Sequence, residues 1–275
     1  MTSPRVVMVL GGGGAKTAAH LGAARALREA GIVPVRWIGT SMGSVMAAAL
    51  ATGEAPESIL ARVITIRRKD VLRNDWSALL RGIWARALFK PAPIRRLIER
   101  LIPARTFAEL VTPCTVTAVE VLTGKEVAFG AGGEDAPLVD ALAAACALPP
   151  YFPPASVNGR TFYDGGLRAA VPIGRAVGIE CSFVVAIHTA PGFDESGPAV
   201  EVPPPLIAAS DTAMGWLMAG SVELQRERWD LTPGRPPLIW LRPIADRGAM
   251  FAADRTARYA DAGYRAMKQV LEEMK

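Results

Sequence analysis

The sequence predicts an α/β fold, a sandwich of helices about a mainly parallel sheet, from three observations. Short continuous apolar runs, Val6–Leu10 and Ser182–Ile187 among them, have the character of strands buried on both faces. They alternate with Ala- and Leu-rich stretches of helical period. The chain has 275 residues, 51% of them hydrophobic, which suffices for a sizeable core and excludes disorder.

In order, Val6–Leu10 is the first strand, and Gly11-Gly12-Gly13-Gly14 a tight loop at its end. Ala18–Ala30 is rich in Ala, Leu, Arg and Glu and reads as a helix, closed by Gly31 as its C-cap. Val35–Ile38 is a second buried strand, and Ser44–Leu50 the first turns of a second helix. Residues 56–105 read as helical and basic, broken by Pro91 and Pro93. Thr115–Val121 and Glu126–Phe129 alternate about Thr123-Gly124 as a hairpin. Pro137–Leu148 is a small-residue helix that leads into the stiff loop Pro149–Pro154. Asn158-Gly159 turns a second hairpin, from Ser156-Val157 to Thr161–Tyr163, and delivers Asp164-Gly165-Gly166. A strand at Ser182–Ile187, a surface loop at Pro191–Pro205, a long helix at Leu206–Trp229, a strand at Leu238–Leu241 and a helix at Asp254–Met274 complete the chain. No repeat and no domain boundary is visible, so residues 1–275 are expected to form one domain.

Three cysteines, Cys114, Cys146 and Cys181, are odd in number and widely spaced. They suit reduced, mostly buried thiols in a cytosolic protein, and no metal-ligand spacing is present. The apolar start is too short for a signal peptide and no run is long enough to span a bilayer, so a cytoplasmic location is expected. The net charge of +5 is uneven: twelve Lys or Arg face three acidic residues between Arg62 and Arg105. No nucleic-acid motif accompanies this charge, and no nucleic-acid partner is expected. Trp76, Leu79, Leu80, Ile83, Trp84, Ala87 and Leu88 recur there at three- and four-residue spacing, with Arg73, Arg81, Arg86 and Lys90 interleaved. Such an amphipathic helix either packs on its own domain or serves as a lid that docks on anionic membrane.

Gly39-Thr40-Ser41-Met42-Gly43 sets a serine between the second strand and second helix, where a nucleophile elbow would expose its Oγ. The plain alternative is a strand-to-helix turn with Ser41 as an N-cap. The glycine run offers backbone N–H groups to an anion or oxyanion, or is merely a tight turn. Ala15-Lys16-Thr17 resembles the end of a phosphate loop, but Leu10 and Ala15 stand where that loop needs glycine. Asp164, at a strand end before two glycines, is the best-placed base for the serine, or else part of a simple turn. A histidine-based triad would have to use His20 or His188; the order Ser41, Asp164, His188 fits one, and a satisfied core histidine is the other reading of His188.

Together these motifs resemble the patatin-like phospholipase family over roughly residues 5–190. Gly12-Gly13-Gly14-Ala15-Lys16 is similar to its oxyanion loop, Gly39–Gly43 to its GxSxG elbow and Asp164-Gly165-Gly166 to its aspartate motif. Ala147–Pro154 is similar to its proline-rich approach, and Arg258–Tyr264 to its last helix; Thr17 departs from a family glycine. The resemblance implies a three-layer α/β/α sandwich and a serine lipid acyl hydrolase, of phospholipase A or lysophospholipase type. It implies a Ser41–Asp164 dyad, an oxyanion held by N–H groups of Gly12, Gly13, Gly14 and Met42, an acyl-ester lipid as substrate, and no metal or organic cofactor. Lys16 is then expected to orient an anionic head group or to snorkel along the first helix. The rival readings are a nucleotide-binding protein using loop 11–17 and a silent scaffold of the same fold.

Overall fold

Val6–Leu10 (β1) lies inside the sheet with a strand on each side, and all five of its residues are buried, as a strand covered on both faces requires. The computed structural model describes residues 4–75, 82–196, 199, 204–247 and 250–274. Within them the strands are β2 (Pro34–Thr40), β3 (Cys114–Glu120), β4 (Glu126–Gly130), β5 (Ala155–Val157), β6 (Arg160–Asp164), β7 (Phe183–Ile187) and β8 (Leu238–Leu241). Their order is β5-β6-β3-β2-β1-β7-β8, with β4 also paired to β3. The run β3-β2-β1-β7-β8 is parallel throughout, and the two hairpins contribute the antiparallel pairs.

Helices cover both faces. Val6, Met8 and Leu10 point into a core shared with α1 (Ala18–Glu29), α2 (Met42–Ala51), α6 (Leu138–Ala145) and α8 (Thr256–Glu273). Val7 and Val9 point the other way, toward Val222 and Trp229 of α7 (Pro205–Leu231) and a 3-10 turn at Ile173–Ala176. The alternation of β1 side chains therefore builds three layers from one strand.

The basic segment is not the continuous helix its spacing suggests. Among the described residues it holds α3 (Pro56–Val63), α4 (Arg68–Val71), a 3-10 turn at Gly82–Trp84 and α5 (Ala92–Leu101). Trp76, Leu79, Leu80 and Arg81, and the side chain of Ile83, lie outside the described residues. Trp84 is 82% exposed, and Phe89 leaves helical register to stack on Tyr151 at 5.9 Å between ring centroids. Aromatic contacts thus replace the helical stripe over residues 85–90. Among the described residues, no helix is long and apolar enough to cross a membrane.

Candidate active site

The sheet register brings two distant motifs together. On β3, Thr117 is opposite Thr40 of β2, and the next residue, Ala118, is opposite Asp164 of β6. Since β4 occupies the other edge of β3, β2 and β6 follow one another along the same edge. Ser41, one residue past Thr40, therefore meets Asp164 across a single step of the sheet, and its Oγ donates to Asp164 Oδ2 at 2.7 Å.

Ser41 itself has φ 53° and ψ −139°, a conformation that costs a residue with a Cβ on the order of 1–3 kcal/mol. The surroundings hold it there: Ser44 N–H donates to the Ser41 carbonyl at 2.9 Å, and α2 is buried from Gly43 to Ala51. Gly43 lets that helix seat against the end of β1, since a Cβ there would lie 2.4 Å from the Leu10 and Gly11 carbonyl oxygens. The turn reading of Ser41 as an N-cap is not met, because its side chain makes no capping bond and turns to Asp164 instead.

Asp164 is 1% exposed. Its Oδ1 accepts the Gly166 N–H at 2.8 Å while Oδ2 accepts the serine hydroxyl. Burial pushes its pKa up to about 7, against the pull of those two hydrogen bonds toward the charged form. A carboxylate poised there can take a proton near neutral pH, which an ordinary aspartate does poorly.

The glycine loop lies beside the pair and is held firmly. His20 Nε2 lies 2.9 Å from the Gly11 carbonyl, and Thr189 Oγ1 donates to the Gly12 carbonyl at 2.7 Å. Gly12 N–H donates to the Ala170 carbonyl at 3.0 Å, so Gly12 is a wall against Ser41 and its N–H is committed to the fold. Gly13 precedes the 3-10 turn Gly14–Thr17 and Met42 begins α2. N–H groups at such helix starts lack intrahelical acceptors, so those of Gly13, Gly14 and Met42 have no partner within their own turns. Gly13, at φ 144°, could not carry a side chain, whose Cβ would meet the Thr189 carbonyl at 2.2 Å. Thr17 is accommodated because its hydroxyl turns inward and donates to the Gly14 carbonyl at 2.6 Å.

Lys16 is placed otherwise than expected. It is buried, and its Nζ is 2.8 Å from Glu195 Oε1 and 3.2 Å from the Asp246 carbonyl. Burial lowers its pKa, an effect the Glu195 carboxylate partly offsets. It ties the loop to residues 195 and 246, and its ammonium is paired there rather than presented to solvent. The histidines are likewise engaged elsewhere. His188 Nε2 lies 3.2 Å from the Pro191 carbonyl and its ring meets Trp240 edge-on at 5.4 Å. Burial lowers the pKa of His20 to about 4 and that of His188 to about 3, so both are neutral at physiological pH.

Ser41 and Asp164 open into an apolar cavity that is continuous with solvent. Met46, Val63, Ile66, Leu72, Ile94, Leu97 and Phe152 line its depth, a surface suited to a hydrocarbon chain. Sequence reasoning missed three contributors. Thr189 and Ala170 act through bonds to the glycine loop, and Cys146 packs on Met42, with its Sγ 4.0 Å from the methionine sulfur. None carries a local motif, and only the folded register could reveal them.

Residues 8–177 match the model of the patatin-like phospholipase family. An uncharacterised NTE family protein of Mycobacterium tuberculosis is 32% identical over 208 residues, covering 75% of this chain and 54% of that protein. A cGAMP-activated phospholipase of Escherichia coli is 34% identical over 146 residues, 49% of this chain and 40% of its own length. Among solved structures, VipD from Legionella pneumophila aligns with a TM-score of 0.52 at 14% identity, over 99% of this chain and 67% of that one, a likeness of fold. The chain spans about half the length of the mycobacterial relative.

Proposed function

This chain belongs to the patatin-like phospholipase family, and on that premise we propose that it is a serine lipid acyl hydrolase working through a Ser41–Asp164 dyad. The observation that carries the reading is the 2.7 Å bond from the Ser41 hydroxyl to a buried carboxylate, at the mouth of an apolar cavity. Ser41 Oγ attacks the ester carbonyl while Asp164 takes its proton. The Gly13, Gly14 and Met42 N–H groups hold the oxyanion of the tetrahedral intermediate. Its collapse breaks the ester bond, and Asp164 returns the proton to the departing alcohol or lysophospholipid. Asp164 then takes a proton from water as it attacks the acyl-enzyme, and passes that proton to Ser41 Oγ as the ester bond breaks and the fatty acid leaves. The substrate is an acyl-ester lipid, of the phospholipase A or lysophospholipase class, whose chain fills the cavity. Residues 1–275 act as one domain, in which the segment 62–105 caps that cavity; Val63, Ile66, Leu72, Ile94 and Leu97 come from it.

Hydrolysis of a monodisperse ester tests the reading. Ser41→Ala is expected to lower the rate by about 10⁴ or more and Asp164→Asn nearly as far, with circular dichroism unchanged. His188→Ala is expected to keep more than about a tenth of the parent rate, since neutral His188 bonds only to the fold. Ser41→Ala activity within tenfold of the parent would end the proposal.

A further inference from the structure

Helix α7 is apolar on two sides. Ile207, Met214 and Met218 pack toward the core, and Met218 forms part of the wall of the Ser41 cavity. On the outward side Leu206, Ala209, Ala213, Trp216, Leu217 and Leu224 recur at helical spacing. Leu206 is 80% exposed, Trp216 65%, Leu217 76% and Leu224 57%. From Pro204 to Val222 the only charged residue is Asp211, and its carboxylate accepts the Tyr151 hydroxyl. A surface helix ordinarily turns polar residues outward, so a stripe of large exposed apolar side chains marks a contact surface.

Its neighbours say what it contacts. Tyr151 joins α7 to the basic segment: Leu88 N–H donates to the Pro150 carbonyl at 3.0 Å and Phe89 N–H to the Tyr151 carbonyl at 2.9 Å. Lys90 N–H donates to the Arg73 carbonyl at 3.0 Å, which brings those two basic residues beside one another. Arg73, Arg86, Lys90 and Trp84 are all exposed. A helix whose exposed stripe from Leu206 to Leu217 carries no charge, at the wall of an apolar cavity and tied through Tyr151 to a segment with exposed bases and a tryptophan, has the composition of a surface that sinks into the head-group boundary of an anionic bilayer. We propose that α7, through Trp216 and Leu217, seats the protein on an anionic lipid surface, with Arg73, Arg86 and Lys90 against the head groups. The inference rests on the lipid hydrolase reading and names the surface from which that site draws its substrate. It adds to the basic segment an apolar partner that charge counting along the sequence did not find.

Vesicle flotation tests it, with Ser41→Ala protein so that lipid is not consumed. The probes are phosphatidylcholine vesicles with and without phosphatidylglycerol. The Ser41→Ala protein is expected to float with the phosphatidylglycerol vesicles, more weakly with phosphatidylcholine alone. Adding Trp216→Ser and Leu217→Gln is expected to weaken flotation about tenfold or more. In the Ser41 protein those two changes are expected to leave hydrolysis of a water-soluble short-chain ester unchanged. Equal flotation with and without the two changes, or none by either, overturns the proposal. So does self-association in solution that the two changes abolish while flotation persists, since the stripe then belongs to a second copy. Flotation without ester hydrolysis by the parent sinks the hydrolase reading and leaves the docking surface standing.

Discussion

In the proposed mechanism Asp164 acts as a base in a place that disfavours its charge, and two measurable consequences follow. Its folded pKa of about 7 lies above the ordinary 3.8. As the base it must be ionised, so ester hydrolysis is expected to rise with pH and level off above about 7, falling about tenfold per pH unit below. Between those two values the native state holds a proton that the unfolded chain has released. Stability therefore falls as pH rises from about 4 to about 7, by on the order of a few kcal/mol in total. Asp164→Asn, which cannot ionise, is expected to melt above the parent at about pH 8 and near it at about pH 4, in a thermal scan at each pH. Lys16 is a second buried charge, but with a structural part. Lys16→Ala strands Glu195 and is expected to cost about 3 kcal/mol in urea unfolding, while Lys16→Met with Glu195→Gln recovers most of it. If Lys16→Ala instead left stability unchanged and slowed only anionic-lipid hydrolysis, the head-group role would return.

At the scale of elements, the local signals were legible and the distant ones were not. Val6–Leu10, the elbow, both hairpin turns and the ends of α7 and α8 follow from apolar runs, glycines and helical period within a few residues. So did the candidacy of Ser41 and Asp164, because each ends a strand in a glycine setting. Lys16 was misread because its partner Glu195 is 179 residues away, and nothing near Lys16 announces it. The helical spacing gives way at Leu88 and Phe89 because they spend their backbone N–H groups on Pro150 and Tyr151, which a helix does not allow. Elements also meet through absences of side chain. Where α1 crosses α8, a Cβ on Gly22 would fall 1.8 Å from the Ala260 carbonyl oxygen. Gly22→Ala is expected to push the two helices apart and destabilise by about 1–3 kcal/mol or more. Gly220→Ala, on α7 with nothing within 4 Å, is expected to stabilise by up to about 1 kcal/mol. Urea midpoints of the two variants settle the comparison, and an unperturbed Gly22→Ala would mean the helices are less tightly crossed than described.

For the whole molecule, the sheet is what turns two motifs 123 residues apart into one site. β3 receives β2 from one half of the chain and β6 from the other along one edge, so that Ser41 and Asp164 arrive at successive positions. Helices on both faces then supply what the pair needs. In the proposed mechanism α2 brings the N–H of Met42 and the loop after β1 those of Gly13 and Gly14, beside an apolar cavity lined by Val63, Ile66, Leu72, Ile94 and Leu97. The central claim is that Ser41 is activated by Asp164 and by no histidine. It is tested most directly by the rate at which a fluorophosphonate labels the protein, with the modified residue located by peptide mass. The account predicts a label on Ser41 alone, at a rate that climbs through about pH 7, is retained in His20→Asn and His188→Ala proteins that fold, and is lost in Asp164→Asn. A label elsewhere, or labelling of Ser41 that survives Asp164→Asn and disappears with His188→Ala, would contradict it.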